Sequence, residues 1–301
     1  MSAKINIGIV GFGRIGRNLL RLGYDDPRLN FVGISDLAEP EALFYLLGHD
    51  TVYGPTETET VLEDNYIYFG DQKVRLLTGA GPGSLPWDAI GADIIIDCTG
   101  RIWPRTDLEK YLDAGAKRVI VTKPPEDPVD RIVVMGLNDN DISINDKIVS
   151  PSSSTTQVLA LMLNILDNKF GLEKAMMTSV HAYTSDQPLA DSVRSDLRRS
   201  RSAVGNIIPN QTRSPQLVET ILPHLKGKIA GIAFNVPIPD GSCVDLTTQL
   251  QSTPSVEDVN ALMKDVSENS MSAIIGYTDD PIVSSDVVGD SHSMIFDARP
   301  L

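Results

Sequence analysis

Cysteine is nearly absent from this chain. Cys98 and Cys243 are the only two in 301 residues, and no CxxC spacing occurs. That excludes a disulfide scaffold and suits a reducing compartment. Positive charge is also scarce: 26 Lys and Arg against 40 Asp and Glu leave a net charge of −14. A nucleic-acid backbone or an anionic membrane surface would be repelled, so neither is an expected partner. A small anion is still admissible wherever cations are concentrated locally. No apolar run reaches membrane-spanning length, and MSAKINIGIVGFG enters a strand and a glycine turn with no room for a cleavable leader. A cytoplasmic protein is expected. The four histidines (49, 181, 224 and 292) are scattered without metal-ligand spacing, so no metal site is expected. What is present is an ordinary globular composition, 42% hydrophobic and 22% charged, on a chain long enough for two domains.

The first half alternates strands and helices. Ile5 to Val10 is an unbroken apolar run, Arg14 to Leu22 has helical spacing, Phe31 to Ser35 is a second strand, and Pro40 to Leu47 reads as a helix. Tyr66–Phe69 and Val74–Leu77 flank a turn and read as a hairpin. Ile94 to Cys98, Asp107 to Leu112 and Arg118 to Thr122 continue as strand, helix and strand. This rhythm predicts an α/β fold with a doubly wound, mostly parallel sheet over residues 1–150. From 151 to 301 the pattern predicts an α+β domain with a mainly antiparallel sheet. Its helices are expected at Thr155–Leu166, Pro215–Leu225 and Val256–Val266, the last capped by Ser255. Its strands are expected at Ala175–Tyr183, Ile229–Val236, Cys243–Gln251 and Ser293–Asp297. Residues 185–213, polar and rich in arginine, read as a long functional loop.

Gly11-Phe12-Gly13-Arg14-Ile15-Gly16 fits G-x-G-x-x-G between the first strand and helix, and Asp36 lies 20 residues beyond Gly16 at the end of the next strand. Gly11 permits a tight turn, Gly13 lets backbone approach a pyrophosphate, and Gly16 lets the helix pack closely. Asp36 would accept from the ribose diol and repel a 2′-phosphate, which favours NAD over NADP. The alternative is a glycine turn with no ligand. Asp97-Cys98-Thr99-Gly100 closes a later strand, where such folds hold ligands. Thr99, and Thr122 at the end of the strand after it, are candidate cofactor contacts. Cys98 reads as a packed thiol.

Ile148 to Leu161 runs from a strand end through a knot of small hydroxyl residues into a helix. A turn of this kind aims a nucleophile, and the amides opening the helix can hold an oxyanion. Ser154 is the residue placed to attack.

GFGRIGR, DCTG, IVS-x-x-S-x-TT, VHAYT-x-DQ, LRR-x-R, NIIP, VP-x-P, VDLT, GYT-x-D, VSSD and FDA follow one another in a single order. Together they resemble glyceraldehyde-3-phosphate dehydrogenase over nearly the whole chain. The resemblance implies an NAD-binding Rossmann domain, a catalytic domain and a homotetramer in which the loop at 185–213 reaches a neighbour. In that family a cysteine thiolate attacks an aldehyde, hydride passes to the nicotinamide, and phosphate releases the thioester as an acyl phosphate. A facing histidine lowers the thiol pKa and handles the proton. The resemblance assigns that histidine to His181 and puts Ser154 in the cysteine's place. Ser153, Thr155, Thr184, Arg199 and Thr212 are implied ligands of the substrate phosphate and of inorganic phosphate.

The departures are specific. Pro151, Ser152, Gln157 and Val158 replace Asn, Ala, Asn and Cys of the family pattern. Asn235 stands where an arginine would bind phosphate, and Arg213 replaces a glycine beside Thr212. A further strand and helix, carrying an asparagine that orients the nicotinamide amide, follow in the family at a point beyond Leu301. A thiol, with a pKa of about 8.5, ionises readily beside histidine. A serine needs a base acting in concert, and its ester reacts poorly with phosphate. Phosphorylating dehydrogenation is therefore expected to be very low or absent. Two functions stay open. One is a diverged NAD-linked oxidoreductase acting on the aldehyde of a phosphorylated sugar, with His181 as acid/base. The other is a pseudoenzyme that serves as an NAD-binding or protein-interaction scaffold. For His181 a hydrogen-bonded structural residue is the plainer reading. For arginines 194, 198, 199, 201 and 213 the alternatives are an altered anion pocket and surface ion pairs.

Overall fold

The computed structural model describes residues 3–79 and 81–299. The chain divides into two compact units, one running up to Val133 and resuming at Asn140–Ser152, the other comprising Val134–Asp139 and the chain from Ser153 onward.

The first unit contains β1 (Ile5–Val10), α1 (Arg14–Gly23), β2 (Leu29–Asp36), α2 (Pro40–Gly48), β3 (Thr60–Glu63), β4 (Tyr66–Phe69), β5 (Gln72–Thr78), α3 (Trp87–Ile90), β6 (Ile94–Asp97), α4 (Arg105–Asp113), β7 (Arg118–Val121), β8 (Arg131–Ile132) and β9 (Ile148–Ser150). They form one nine-stranded sheet in the order β3-β4-β5-β2-β1-β6-β7-β9-β8. It is parallel from β5 to β8, and the β3-β4-β5 edge is antiparallel. Each face has its own core. Ile7 and Ile9 pack with Leu20 of α1 and Leu43 and Leu47 of α2. Val10, Ile95 and Val119 pack with Trp87, Leu108 and Tyr111 of α3 and α4. Burial on both faces is why β1 and β6 read as continuous apolar runs instead of alternating.

In the second unit α5 (Ser154–Phe170), β10 (Leu172–Ala182), β11 (Ile208–Asn210), α6 (Ser214–Ile221), β12 (Ile229–Val236), β13 (Cys243–Leu250), α7 (Val256–Glu268), β14 (Ile275–Thr278) and β15 (Met294–Asp297) follow in order. The four-stranded sheet is ordered β11-β12-β10-β13 and is mixed. β10 runs parallel to β12, while β10-β13 and β11-β12 are antiparallel. β14 and β15 pair in parallel as a separate ribbon. Leu159, Leu163 and Leu166 of α5 pack with Met177 of β10 and Val218 of α6 in one core. Ser255 caps α7 in a reciprocal box with Asp258, as its position before the apolar run implies. The helix expected over Pro215–Leu225 ends at Ile221, and Pro223–Leu225 forms a separate 3-10 turn, because Pro223 cannot continue an α-helical hydrogen-bond ladder. Among the described residues no helix is long and apolar enough to cross a membrane.

Candidate functional site

The glycine turn is built as the fingerprint demands. Gly11 adopts φ +85°, and a Cβ there would lie 2.7 Å from the Thr99 backbone. A Cβ on Gly16 would lie 2.4 Å from the Gly11 carbonyl oxygen. At Gly13, by contrast, a Cβ would meet nothing within 4 Å. The first and third glycines serve the fold, and the middle one leaves open space at the start of α1. That helix opens without a side-chain cap and without an acidic residue in its first turn, so its positive end stays available to an anion. Arg14 and Ile15 form the first turn, with Ile15 exposed.

Asp36 is tied into the same turn. Its Oδ2 accepts from the Phe12 amide at 2.7 Å, and its Oδ1 accepts from the Leu37 and Ala38 amides at 2.7 and 3.1 Å. Leu37 next to it is 63% exposed. The turn carries a brace that has no signature in the sequence. Arg17 donates to Asp50 at 3.0 Å and to the Phe12 carbonyl at 3.3 Å, with both side chains of the ion pair largely buried. Burial acts to raise the Asp50 pKa. The amides of Tyr53 and Val52 and the Arg17 guanidinium outweigh it and hold the carboxyl below its usual range. No motif marks Asp50, which lies well downstream of the glycines.

At the ends of β6 and β7, Thr99 and Thr122 both turn inward. The Thr99 hydroxyl donates to Asp97 Oδ1 at 2.7 Å, and the Thr122 hydroxyl donates to the Asp97 carbonyl at 2.8 Å. Cys98 is buried, and burial, reinforced by Asp97, pushes its thiol up to about 12. It is a packing residue, inert as a nucleophile at neutral pH.

The second unit gathers the other candidates around the ends of β10, β11 and β12 and the starts of α5 and α6. Ser153 caps α5, its Oγ accepting from the Thr156 amide at 3.1 Å. Thr155 and Thr156 are buried, and Thr156 donates to the buried Ser214 Oγ at 3.1 Å, joining the two helix starts. Thr212 accepts from the Ser214 amide at 3.2 Å, and Arg213 is exposed between them. Ser154 occupies the first position of α5 and is exposed, and its hydroxyl makes no hydrogen bond among the described residues. Just before it, Ser152 has φ +62° and a buried hydroxyl without a partner.

His181 and Asn235 lie side by side in the β10-β12 pairing. His181 Nδ1 is 2.7 Å from the Ala182 carbonyl, which can only accept, so Nδ1 carries the proton and Nε2 is left as the basic nitrogen. No hydrogen bond joins His181 to Ser154. Asn235 is only 5% exposed; its Nδ2 donates to Ala182 O at 3.2 Å and its Oδ1 accepts from Asn210 at 3.1 Å. Beyond the strand, Asp186 accepts from the Thr184 hydroxyl and from Arg199 at 2.6 Å. Arg201 pairs with Asp191 at 2.8 Å across the exposed surface of the same segment. Arg199 and Arg201 are therefore in local ion pairs. An internal carboxylate stands on the two groups, Thr184 and Arg199, that the resemblance assigned to phosphate.

A model of the "Glyceraldehyde 3-phosphate dehydrogenase, NAD binding domain" matches residues 5–105, and one of the "Glyceraldehyde 3-phosphate dehydrogenase, C-terminal domain" matches 153–300. The chain belongs to the glyceraldehyde-3-phosphate dehydrogenase family. It is 42% identical over 300 residues to glyceraldehyde-3-phosphate dehydrogenase 1 of Trichormus variabilis, covering 98% of this chain and 87% of that one. The enzyme of Mycobacterium leprae is 41% identical over 303 residues, with 98% and 88% covered. Glyceraldehyde-3-phosphate dehydrogenase 1 of Bacillus subtilis is 38% identical over 295 residues, again with 98% and 88% covered. The chain is thus a family member of the NAD-binding oxidoreductase type. Its cofactor is NAD, and the space at Gly13, the uncapped start of α1 and the Asp36 carboxylate fit that group.

Proposed function

We propose that this family member binds NAD and a small phosphorylated, sugar-type ligand or inorganic phosphate, and that its phosphorylating oxidation of an aldehyde is very low or absent. The observation that carries this is Ser154, an exposed hydroxyl at the start of α5 with no hydrogen bond to a base among the described residues. A serine at neutral pH attacks a carbonyl only when a base within hydrogen-bond reach takes its proton. NAD, when bound, supplies the hydride acceptor. Gly11, Gly13, Gly16 and Asp36 would hold its adenosine and pyrophosphate parts, with Phe12, Arg14, Ile15, Thr99 and Thr122 around them. Ser153, Thr155, Thr184, Arg199, Thr212, Arg213 and Asn235 would surround the anion, and His181 Nε2 would be the acid/base.

A second reading, a pseudoenzyme that acts as an NAD-binding or protein-interaction scaffold, draws support from Asn235. The fixed positive charge expected there is replaced by an amide whose groups are engaged internally. We expect a cytoplasmic homotetramer in either case. The test is Ser154→Cys, assayed for NAD reduction with glyceraldehyde 3-phosphate and phosphate. Turnover in the variant and little in the parent would support the first reading. Equal, brisk turnover in both would sink it, and silence in both would favour the scaffold.

A further inference from the structure

Asp97 is a buried carboxylate, 2% exposed, with no salt-bridge partner among the described residues. Three donors satisfy it. Oδ1 accepts from the Thr99 amide at 3.0 Å and the Thr99 hydroxyl at 2.7 Å, and Oδ2 accepts from the Tyr111 hydroxyl at 2.8 Å. Tyr111, on α4, is completely buried. Burial, with Asp97 adding to it, pushes its phenol far above its usual range, so it donates at every working pH. The carboxylate is thus gripped from below by the helix and grips the turn above it.

That turn meets the glycine fingerprint. The Thr99 backbone lies where a Cβ on Gly11 would be, 2.7 Å away, and Cys98 N–H donates to Val10 O at 2.7 Å just before the fingerprint begins. On its other side Lys123 Nζ donates to the Gly100 carbonyl at 2.7 Å. Gly100 itself has φ +70° with open space around it. Because the Thr99 hydroxyl is committed to Asp97 and its oxygen accepts from the Arg101 amide at 3.2 Å, the turn offers a ligand its backbone more than that side chain. A backbone surface binds well only when its position is fixed beforehand.

We propose that Asp97 is a positioning residue for NAD: held by Tyr111, it fixes the Thr99–Gly100 turn against Gly11 so that the cofactor meets a preformed wall. The inference rests on the chain's binding NAD. An ionised acceptor gives stronger, shorter hydrogen bonds than a neutral one, which suits a carboxylate to this task. A purely structural polar group in the same place would stabilise the unit without altering how tightly the folded protein binds cofactor.

The test uses the full chain with Tyr111→Phe and Asp97→Asn. The first keeps the ring and removes only the donor, so a folded variant is available if the second fails to fold. NAD affinity is measured by calorimetry and exchange of the Thr99 and Gly100 amides by hydrogen exchange without cofactor. Tyr111→Phe is expected to bind NAD about tenfold more weakly and to exchange those amides faster, while amides in β1 keep their protection. Parent-like NAD affinity in a folded Tyr111→Phe protein, whatever its melting temperature, would overturn the proposal. If the parent itself takes up no NAD, the cofactor reading fails with it, and that outcome is distinct because it appears before any substitution.

Discussion

His181 and Asn235 share one acceptor. The ring Nδ1 of the first and the amide of the second both donate to the Ala182 carbonyl, at 2.7 and 3.2 Å, from adjacent positions on parallel strands. The amide thereby helps hold the histidine's carbonyl anchor.

Asn235→Arg introduces the charge that the resemblance implies here, at a site where burial is nearly complete. It also removes the acceptor of Asn210. Lost hydrogen bonds and a desolvated charge are expected to lower stability by about 1–3 kcal/mol in urea unfolding, while inorganic phosphate binds more tightly in calorimetry. A variant as stable as the parent and no better at holding phosphate would show that the position is indifferent to charge.

Asp186→Asn frees Arg199 and the Thr184 hydroxyl from an internal anion. Phosphate affinity, read from 31P line broadening, is expected to rise several-fold. No change would mean that phosphate does not compete with this carboxylate.

Gly13→Ala and Gly16→Ala should part company. The first adds a methyl to open space and is expected to change stability by less than about 1 kcal/mol while weakening NAD binding at least tenfold. The second drives a Cβ to 2.4 Å from a carbonyl oxygen and should unfold the unit at markedly lower denaturant. Parallel losses of stability at both positions would contradict the division of labour.

Asp50 predicts an acid-side effect. Its folded pKa lies below the unfolded value of 3.8, so its contribution is full above 3.8 and disappears as pH falls through the folded pKa. Asp50→Asn should therefore be less stable at neutral pH, and the deficit should narrow under progressively acid conditions. A deficit that is constant from neutral to strongly acid pH would assign the loss to packing instead of charge.

Thiol labelling separates the cysteines. At neutral pH Cys98, buried and shifted to about 12, is expected to resist iodoacetamide until unfolding, and only the exposed Cys243 should react, slowly because its pKa too is raised. Rapid labelling of Cys98 in the native protein would show that β6 opens.

Much of the fold was legible because its signals are local. The apolar runs of β1 and β6, the glycines and Ser255 before α7 each act on their own neighbours. β3, β11 and β14 were missed because they are three or four residues long, and β11 and β14 are in addition held by strands distant in sequence. The site was legible as residue types and illegible as contacts. Nothing in VHAYTSDQ announces that Asp186 meets Arg199, thirteen residues on, or that Thr99 turns its hydroxyl toward Asp97 instead of outward. Those outcomes depend on which donor lies nearest once the chain has closed.

Gly13 has a consequence for the chain's history. The fold requires Gly11 and Gly16, and would keep them in a protein with no ligand at all. Gly13 meets nothing and has an unstrained φ of −72°, so drift would be free to replace it. A lineage with no use for the dinucleotide could exchange it at no cost to the fold, so its identity marks ligand binding in a way that Gly11 and Gly16 do not.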